Sequence, residues 1–258
     1  TFTVQSVDGT EHTVTITING TEDAPVIAGT HTGTVKEDTT LSTSGTLTAS
    51  DADSADNTQT YSVLAGGSSD LGSFGIDASS GTWTYDLNNA AVQGLGGGDS
   101  VTRSFTVRAT GADGETVDQV VTITINGTED APTLSIDKGA VVSEEGLVGG
   151  IADTAGSSDT TDSVAASGKI TVGDVDSQDN LTVSLSGPAG LTSSGAQVQW
   201  SWSAGSKTLV GYTGTIGAAD YKAVVEVKLT APTGSTQGDW SYDVTLKAPL
   251  DHPGKGSE

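Results

Sequence analysis

Alternation of apolar and polar residues is the dominant pattern along the chain. In VTITIN (14–19), SFTVRAT (104–110) and GTWTYDL (81–87), branched or aromatic residues alternate with threonine or another polar residue. A period of two is typical of strands with one buried face. Such segments recur about every 8–12 residues between clusters of Gly, Asn, Asp and Ser, which is the spacing of an antiparallel sandwich. Helical periodicity is weak, and only LNNAAVQGL (87–95) suggests a short helical turn.

An internal repeat divides the chain. Residues 14–25 and residues 121–132 both read VTITINGTEDAP, at an offset of 107 residues. Upstream, TFTV (1–4) matches SFTV (104–107). An offset of this size is the signature of a tandem array of modules.

The repeat also gives the expected domain boundaries. Residues 1–25 would be the last two strands of one unit, residues 26–131 a complete unit, and residues 132–258 a second sandwich of a different type. Pro25 and Pro132 end the two copies of the repeat, where a fixed φ makes each junction short and stiff. In the complete unit, the period-two pattern predicts an inward-facing core of Leu47, Tyr61, Val63, Phe74, Ile76, Trp83, Tyr85, Phe105, Val107, Val121, Ile123 and Ile125.

The strongly negative net charge of the chain argues against anionic partners. The chain has 33 acidic and 10 basic residues, a net charge of -23. A surface that binds nucleic acid or an anionic membrane must be basic, so neither partner is expected. The absence of Cys excludes disulfides, thiol catalysis and Cys-ligated zinc. The chain does not begin with Met and has no apolar stretch of about 18 residues, so we expect an internal segment of a longer protein without membrane insertion.

Several motifs resemble known repeat families. GTWTY, AAVQ and NGTEDAP follow one another within residues 72–132, and this region resembles the VCBS repeat of giant RTX adhesins. The second half, with GKITVGDVDSQDNLTVSLSGP (168–188) and KAPLDHP (247–253), resembles another type-I-secretion adhesin repeat. Members of that second family continue with further strands beyond LDHP, so the resemblance implies that the last domain is incomplete. The nonapeptides GGxGxDxUx that name RTX proteins are absent from the sequence.

The resemblance implies an all-β fold of tandem Ig- or cadherin-like antiparallel β-sandwich domains in an elongated array. It implies a calcium-rigidified stalk of a large adhesin, exported by type I secretion to the surface of a Gram-negative bacterium, where it mediates cell adhesion and biofilm formation. The implied partners are calcium ions and neighbouring repeats of the same chain, with a surface glycan or protein bound by other domains. The chain is expected to be monomeric.

Two acidic loops carry the candidate chemistry. DADSADN (51–57) and DVDSQDN (174–180) share the spacing D-x-D-x-x-D, and each lies between two predicted strands. Ca²⁺ takes six to eight oxygen ligands from carboxylates, carbonyls and water. The loops are not EF-hands, because Asp56 and Asp179 stand where that motif needs Gly.

Topology predicts which carboxylates can meet. If the first and last strands of a sandwich run in the same direction, two acidic groups form, one at each end of the complete unit. This arrangement resembles the cadherin junction, in which linker Asp and Asn residues combine with a D-x-D loop. The entry group would comprise Glu22, Asp23, Asp51, Asp53, Asp56 and Asp113. The exit group would comprise Glu37, Asp38, Asn126, Glu129, Asp130, Asp174, Asp176 and Asp179, and by analogy Glu144 or Glu145 would serve the far end of the second domain.

The alternative is that these residues are solvated turn residues, since Asp and Asn cap loops without any metal. Two carboxylates about 5 Å apart repel by roughly 1–3 kcal/mol at intermediate dielectrics. Gathering several of them without a counter-ion is therefore costly, and the recurrence of the motif beside both TEDAP linkers favours calcium.

No motif indicates catalysis. The sequence lacks HExxH, GxSxG and a P-loop. A glycosidase would need two acids with different environments, and nothing in the sequence marks such a pair. We therefore predict that the chain is not an enzyme.

The pair Trp200 and Trp202 has two interpretations. The two side chains share one face of a strand, as core or as an aromatic platform for sugar rings. The core is favoured, because Trp83 with Tyr85 and Trp240 with Tyr242 repeat the spacing. The alternative function is a scaffold or carbohydrate-binding module that contacts a ligand through the second domain, and an exposed Trp200 face would favour it.

Overall fold

The fold is described from a computed structural model over residues 1–53, 58–112, 114–149, 162–176 and 179–251. The chain forms two compact units, Thr1–Thr128 and Glu129–Glu258. The prediction of an all-β, β-sandwich fold is confirmed, and the described ranges contain strands and two short 3-10 turns but no α-helix. Nothing helical in these ranges has the length and hydropathy of a membrane span.

The first unit contains eleven of the strands found in the described ranges. They are β1 (Phe2–Gln5), β2 (Glu11–Val14), β3 (Val26–Gly29), β4 (Thr32–Lys36), β5 (Ser42–Ser50), β6 (Thr60–Ala65), β7 (Ser68–Ser69), β8 (Gly72–Ile76), β9 (Thr82–Leu87), β10 (Ser100–Thr110) and β11 (Thr116–Asn126). A 3-10 turn at Asn89–Ala91 lies within the segment where the sequence suggested a helical turn.

Two sheets of the first unit face each other across its core. One has the order β4-β11-β10-β6 and the other the order β3-β5-β9-β8-β7. Strands β10 and β11 form a long antiparallel hairpin in which Phe105 is opposite Val121. Strand β4 runs parallel to β11, with Val35 opposite Ile125. The end of β4 therefore lies beside the end of β11. The two strands run in the same direction, as the predicted grouping of acidic residues requires.

The core of the first unit consists largely of the residues that the period-two pattern selected. All twelve lie in the core cluster, with Val63 and Ile76 partly buried and the others buried. The rings of Phe74 and Phe105 stack at a centroid distance of 4.5 Å. The indole Nε1 of Trp83 donates a hydrogen bond to the carbonyl of Thr30 at 2.7 Å, so this buried ring has no unsatisfied donor. Each such large apolar side chain stabilises the fold by about 1.5–3 kcal/mol.

The hairpin of β1 and β2 repeats the pairing of β10 and β11 without their burial. Phe2 is opposite Val14, as Phe105 is opposite Val121. The apolar face of the hairpin is nevertheless exposed, and β2 ends at Val14. Residues 15–18 belong to no strand, whereas the identical residues 122–125 lie in β11. Within this chain the strand of the first copy therefore ends at Val14 and pairs with β1, whereas β11 pairs with both β10 and β4.

The second unit contains β12 (Thr133–Ile136), β13 (Ala165–Gly173), β14 (Thr192–Ser193), β15 (Ala196–Gln197), β16 (Gln199–Ser203), β17 (Thr208–Thr213), β18 (Lys222–Thr230) and β19 (Gly238–Leu246), with a 3-10 turn at Glu144–Gly146. Six of them form one sheet in the order β12-β13-β19-β18-β17-β16. Strands β14 and β15 pair separately.

The segment LTVSLS (181–186) packs on this sheet without joining a ladder. Its side chains alternate between half-buried and exposed, as the sequence predicted. Leu181, Val183 and Leu185 contact the core cluster that contains Trp240. The segment nevertheless forms no strand. Its period-two pattern reflects the packing of one side against the sheet.

Candidate metal centre

The acidic loop of the second unit, at residues 174–180, is held in place by hydrogen bonds from within that unit. The loop follows β13, and the N–H of Asp176 donates to Asp174 Oδ1 at 3.1 Å, a turn that Asp residues form locally. Gln237 clamps the loop from across the unit. Its Oε1 accepts the N–H of Asp174 at 3.2 Å, and its Nε2 donates to the carbonyl of Asp179 at 3.4 Å.

The preceding linker segment contacts this loop directly. The N–H of Asp130 donates to Asp176 Oδ2 at 2.8 Å. Glu129, Asp176 and Asp179 each offer a carboxylate oxygen, and these oxygens lie within 4.8 Å of one another. The loop and the linker residue thus converge on one point.

Two carboxylate oxygens of this centre are buried without a hydrogen-bond partner among the described residues. They are Asp176 Oδ1 and Asp174 Oδ2. Asp176 as a whole is only 1% exposed. Because a buried charged group is costly unless it is paired or coordinates a metal, these oxygens need a cation or protons.

The electrostatics of the loop are those of a crowded anionic site. Desolvation raises the pKa of Asp179, and the charges of Glu129, Asp174 and Asp176 raise it further. No cation is among the groups that shift it. Removing water and gathering like charges both disfavour the ionised carboxylate, and a bound divalent cation would reverse both effects.

The donor set fits calcium better than the other common metals. The ligand atoms that the described residues offer in this cluster are all carboxylate oxygens, with neither Cys nor His among them. Such ligands suit Ca²⁺ or Mg²⁺, and flexible sites with several protein carboxylates are typical of Ca²⁺. Glu129, Asp174, Asp176 and Asp179 are the residues that would hold it.

The acidic loop of the first unit has the same hydrogen-bond pattern. The N–H of Asp53 donates to Asp51 Oδ1 at 2.9 Å, and the N–H of Asp23 donates to Asp53 Oδ2 at 2.8 Å. Glu22 precedes Asp23 in the exposed linker. The two remaining candidates of the entry group, Asp56 and Asp113, lie outside the described residues.

The other acidic pair of the first unit lies where β4 ends. The N–H of Glu37 donates to the carbonyl of Asn126 at 3.0 Å, which fixes this pair beside the end of β11. The Glu37 carboxylate is wholly buried, accepting from Gln93 Nε2 at 2.7 Å and from the N–H of Thr128 at 3.3 Å. Asp38 Oδ1 accepts from Asn89 Nδ2 at 2.7 Å, and this hydrogen bond lowers the pKa of Asp38.

Sequence reasoning missed the two amides of this pair. Asn89 and Gln93 lie in and just after the 3-10 turn at Asn89–Ala91, more than fifty residues from the acids they contact. Their position in LNNAAVQGL predicts a helical turn but gives no sign of a contact with Glu37 or Asp38.

The tryptophans of the second unit pack inward. Trp200 and Trp202 are half-buried and pack against two core clusters, and Trp240 is 1% exposed. Trp200 Nε1 donates to the carbonyl of Pro188 at 2.8 Å. This geometry supports the core interpretation over a sugar platform on this face. Glu144 accepts the N–H of Leu250 at 2.6 Å and so ties the end of the described chain to the 3-10 turn.

Comparison with known proteins places the first unit. Residues 22–127 match the family model of the bacterial cadherin-like domain. No curated protein matches the chain.

Three solved structures that are similar to the chain have low sequence identity to it. Domains 1–4 of protocadherin gamma B7 are 15% identical, with a TM-score of 0.38 over 86% of this chain. Domains 1–4 of PcdhgB3 are 14% identical, with a TM-score of 0.40 over 97%. The chain spans 49% and 56% of those two proteins. A nucleoside hydrolase-related hypothetical protein from Saccharophagus degradans is 18% identical, with a TM-score of 0.25 over 41% of this chain and 26% of its own. The family match and the two facing sheets agree that residues 22–127 form a cadherin-like domain of immunoglobulin type.

Proposed function

We propose that the chain is part of the extracellular stalk of a large bacterial RTX adhesin, in which calcium stiffens the junctions between β-sandwich repeats. Cadherin-like domains are typically non-enzymatic adhesion modules, and they generally bind Ca²⁺ through acidic clusters. The VCBS-like repeat, type I secretion, a Gram-negative cell surface and a role in biofilm formation are the finer parts of this proposal.

The observation that carries the proposal is the contact between a TEDAP linker and an acidic loop. In both copies, the Asp of the linker donates its N–H to the second Asp of the loop at 2.8 Å. In the second unit, the loop also buries carboxylate oxygens that have no hydrogen-bond partner among the described residues. A divalent cation would satisfy these oxygens and attach the linker to the loop more firmly.

Different residues of the second unit would order the loop, position the linker and bind the metal ion. Bound calcium would supply the positive charge that offsets the gathered carboxylates. Asp174 orders the loop by accepting the N–H of Asp176, and Gln237 holds both ends of the loop. The Asp130 N–H fixes the linker against Asp176, so a ligand from the linker is presented to the loop without further ordering.

Small-angle scattering with calcium and then with a chelator tests the function. We expect a rigid particle with calcium and a flexible one with chelator, because the unshielded carboxylates repel. Asp174→Ala with Asp176→Ala should abolish the calcium response of the second junction. Asp137→Ala with Asp162→Ala removes the same charge from exposed positions away from this loop and should leave the response intact. Scattering curves that are the same with calcium and with chelator would refute the stalk mechanism.

A further inference from the structure

An open groove lies on the face of the second unit's six-stranded sheet that points away from Trp200 and Trp202. Its volume is about 550 Å³, within the range of roughly 300–1,000 Å³ for small-molecule sites. Strands β16, β17 and β18 form its floor, and the segment between β17 and β18 forms one wall.

The strand register explains why the floor is polar. Trp202 is opposite Leu209, which is opposite Val227, and this row faces the core. Successive residues of a strand point to opposite faces, so the neighbouring rows face the groove. Two cross-strand rows of the groove lining are Ser201–Val210–Glu226 and Ser203–Thr208–Lys228. These two rows therefore carry hydroxyls, one carboxylate and one ammonium around the apolar side chain of Val210.

The wall of the groove is aromatic. Tyr221 is 40% exposed and lies against Tyr212, which is 9% exposed, at a ring-centroid distance of 5.4 Å and an interplanar angle of 35°. Ile216, in the segment between the two strands, is 60% exposed and also lines the groove. Positive φ angles at Gly214 and Gly217 shape this segment, and L side chains rarely adopt such angles.

The tyrosine hydroxyls and the charged groups of the groove are free to bind a ligand, whereas Ser203 Oγ accepts the N–H of Ser206 and Thr208 Oγ1 donates to the carbonyl of Ser206. Within the described ranges, neither tyrosine hydroxyl forms a hydrogen bond, and Glu226 and Lys228 form no ion pair. Tyr221 and Ile216 together place exposed apolar surface beside polar groups, and apolar surface rimmed by polar residues is typical of ligand-binding grooves.

We propose that this groove binds a neutral oligosaccharide. The apolar face of a sugar ring would stack on Tyr221, while sugar hydroxyls would donate to Glu226 and accept from Lys228 and the floor hydroxyls. A net charge of -23 and the carboxylate in the floor disfavour sulfated or uronic sugars and nucleic acids. The groove includes no residue of the acidic loop and needs no calcium. The sugar-binding proposal can therefore be tested independently of the stalk function.

Chemical-shift mapping on the whole chain tests the groove. The probes are glucose hexasaccharides with α-1,4, β-1,4 and β-1,3 linkages, together with mannose and galactose oligomers, titrated with calcium and with chelator. We expect at least one probe to shift the amides of residues 201–203, 208–212, 216–221 and 226–228. Tyr221→Ala should weaken that binding roughly tenfold or more, because it removes the stacking surface, and Tyr221→Phe should largely retain it.

A matched control and three outcomes complete the test. Phe2→Ala removes an exposed aromatic ring, 61% exposed, from the other unit and should leave sugar binding unchanged. No shift with any of these sugars would overturn the proposal, as would shifts that survive Tyr221→Ala. A response to peptides but not sugars, confined to the edge strand Gln199–Ser203, would assign the region to strand addition by a protein partner and also overturn it. Spectra of the Tyr221 variants that retain native dispersion establish that they are folded.

Discussion

The two copies of VTITINGTEDAP, residues 14–25 and 121–132, have the same sequence and different structures. In the second copy, Val121, Ile123 and Ile125 are fully buried in β11. In the first copy, Ile16 is 58% exposed and Ile18 is 90% exposed. Within this chain, the same apolar residues are buried in one copy and exposed in the other.

Only the strand half of the repeat differs in this way. In the linker half, Asp23 and Asp130 make the same hydrogen bond, at 2.8 Å, to the second Asp of a D-x-D loop. Strand β11 pairs with both β10 and β4 and faces the second sheet, whereas within this chain the first copy pairs with β1. A linker N–H needs a single carboxylate, and both copies have one.

The largest test of this contrast is a pair of phenylalanine variants. Phe105→Ala should lower the free energy of unfolding of the first unit by about 3–5 kcal/mol, because it leaves a cavity beside Phe74 and Tyr85. Phe2→Ala, at the matching position of the exposed hairpin, should change it by less than about 0.5 kcal/mol. Urea unfolding followed through the NMR signal of the Trp83 indole N–H, which reports on the first unit alone, measures both. Similar losses for the two variants would mean that the first hairpin is covered in solution.

The linker half should respond to calcium in both units. If each loop binds Ca²⁺ with a dissociation constant of about 0.1–1 mM, then about 10 mM calcium stabilises each unit by about 1.4–2.7 kcal/mol. Asp51→Ala with Asp53→Ala should remove this gain from the first unit only, and Asp174→Ala with Asp176→Ala from the second only. Calorimetry with and without calcium checks this. A gain that persists in both double variants would place the metal elsewhere.

A smaller effect separates a metal ligand from a turn residue at Asp179. Its raised pKa means that the ionised form is disfavoured in the folded, metal-free loop. Asp179→Asn should therefore raise the melting temperature of the second unit in chelator, where it removes repulsion, and lower it in calcium, where it removes a ligand. Melting curves in the two buffers test this change of sign. A lower melting temperature in both buffers would identify Asp179 as a structural acceptor alone.

The smallest expected effect concerns an ion pair present in only one of the two hairpins. Arg108 Nε lies 2.7 Å from Asp118 Oδ1 in the β10–β11 hairpin, and Gln5 and Glu11 occupy the matching positions in the first hairpin. The hydrogen bond from Arg108 lowers the pKa of Asp118. The stabilisation is therefore present above the unfolded pKa of about 3.9 and lost as the pH falls through the lower, folded value.

Arg108→Gln copies the first hairpin and should raise the pKa of Asp118 measured by NMR. The melting temperature should barely change, because exposed pairs contribute little and salt screens them. An unchanged Asp118 pKa in this variant would show that the pair does not form in solution.

Local patterns in the sequence determined much of this protein. Alternation predicted the all-β fold and the core around Trp83 and Phe105, because side-chain direction in a strand repeats every two residues. The D-x-D spacing is also that of an Asp-capped turn, and in both loops the first Asp accepts the N–H of the residue two positions on. The repeat predicted two equivalent linkers, and their Asp residues do make equivalent contacts.

Tertiary structure decided what depends on residues distant in sequence. Alternation in residues 15–18 and in LTVSLS gave no ladder, because a strand exists only where another strand supplies its hydrogen bonds. The amide of Gln93 reaches Glu37 across 56 residues of sequence. The groove beside Tyr221 depends on which face of β16 to β18 turns toward the core, and the packing of the row Trp202–Leu209–Val227 against the core sets that face. Period two tells which side chains share a face, whereas non-local packing decides which face is buried.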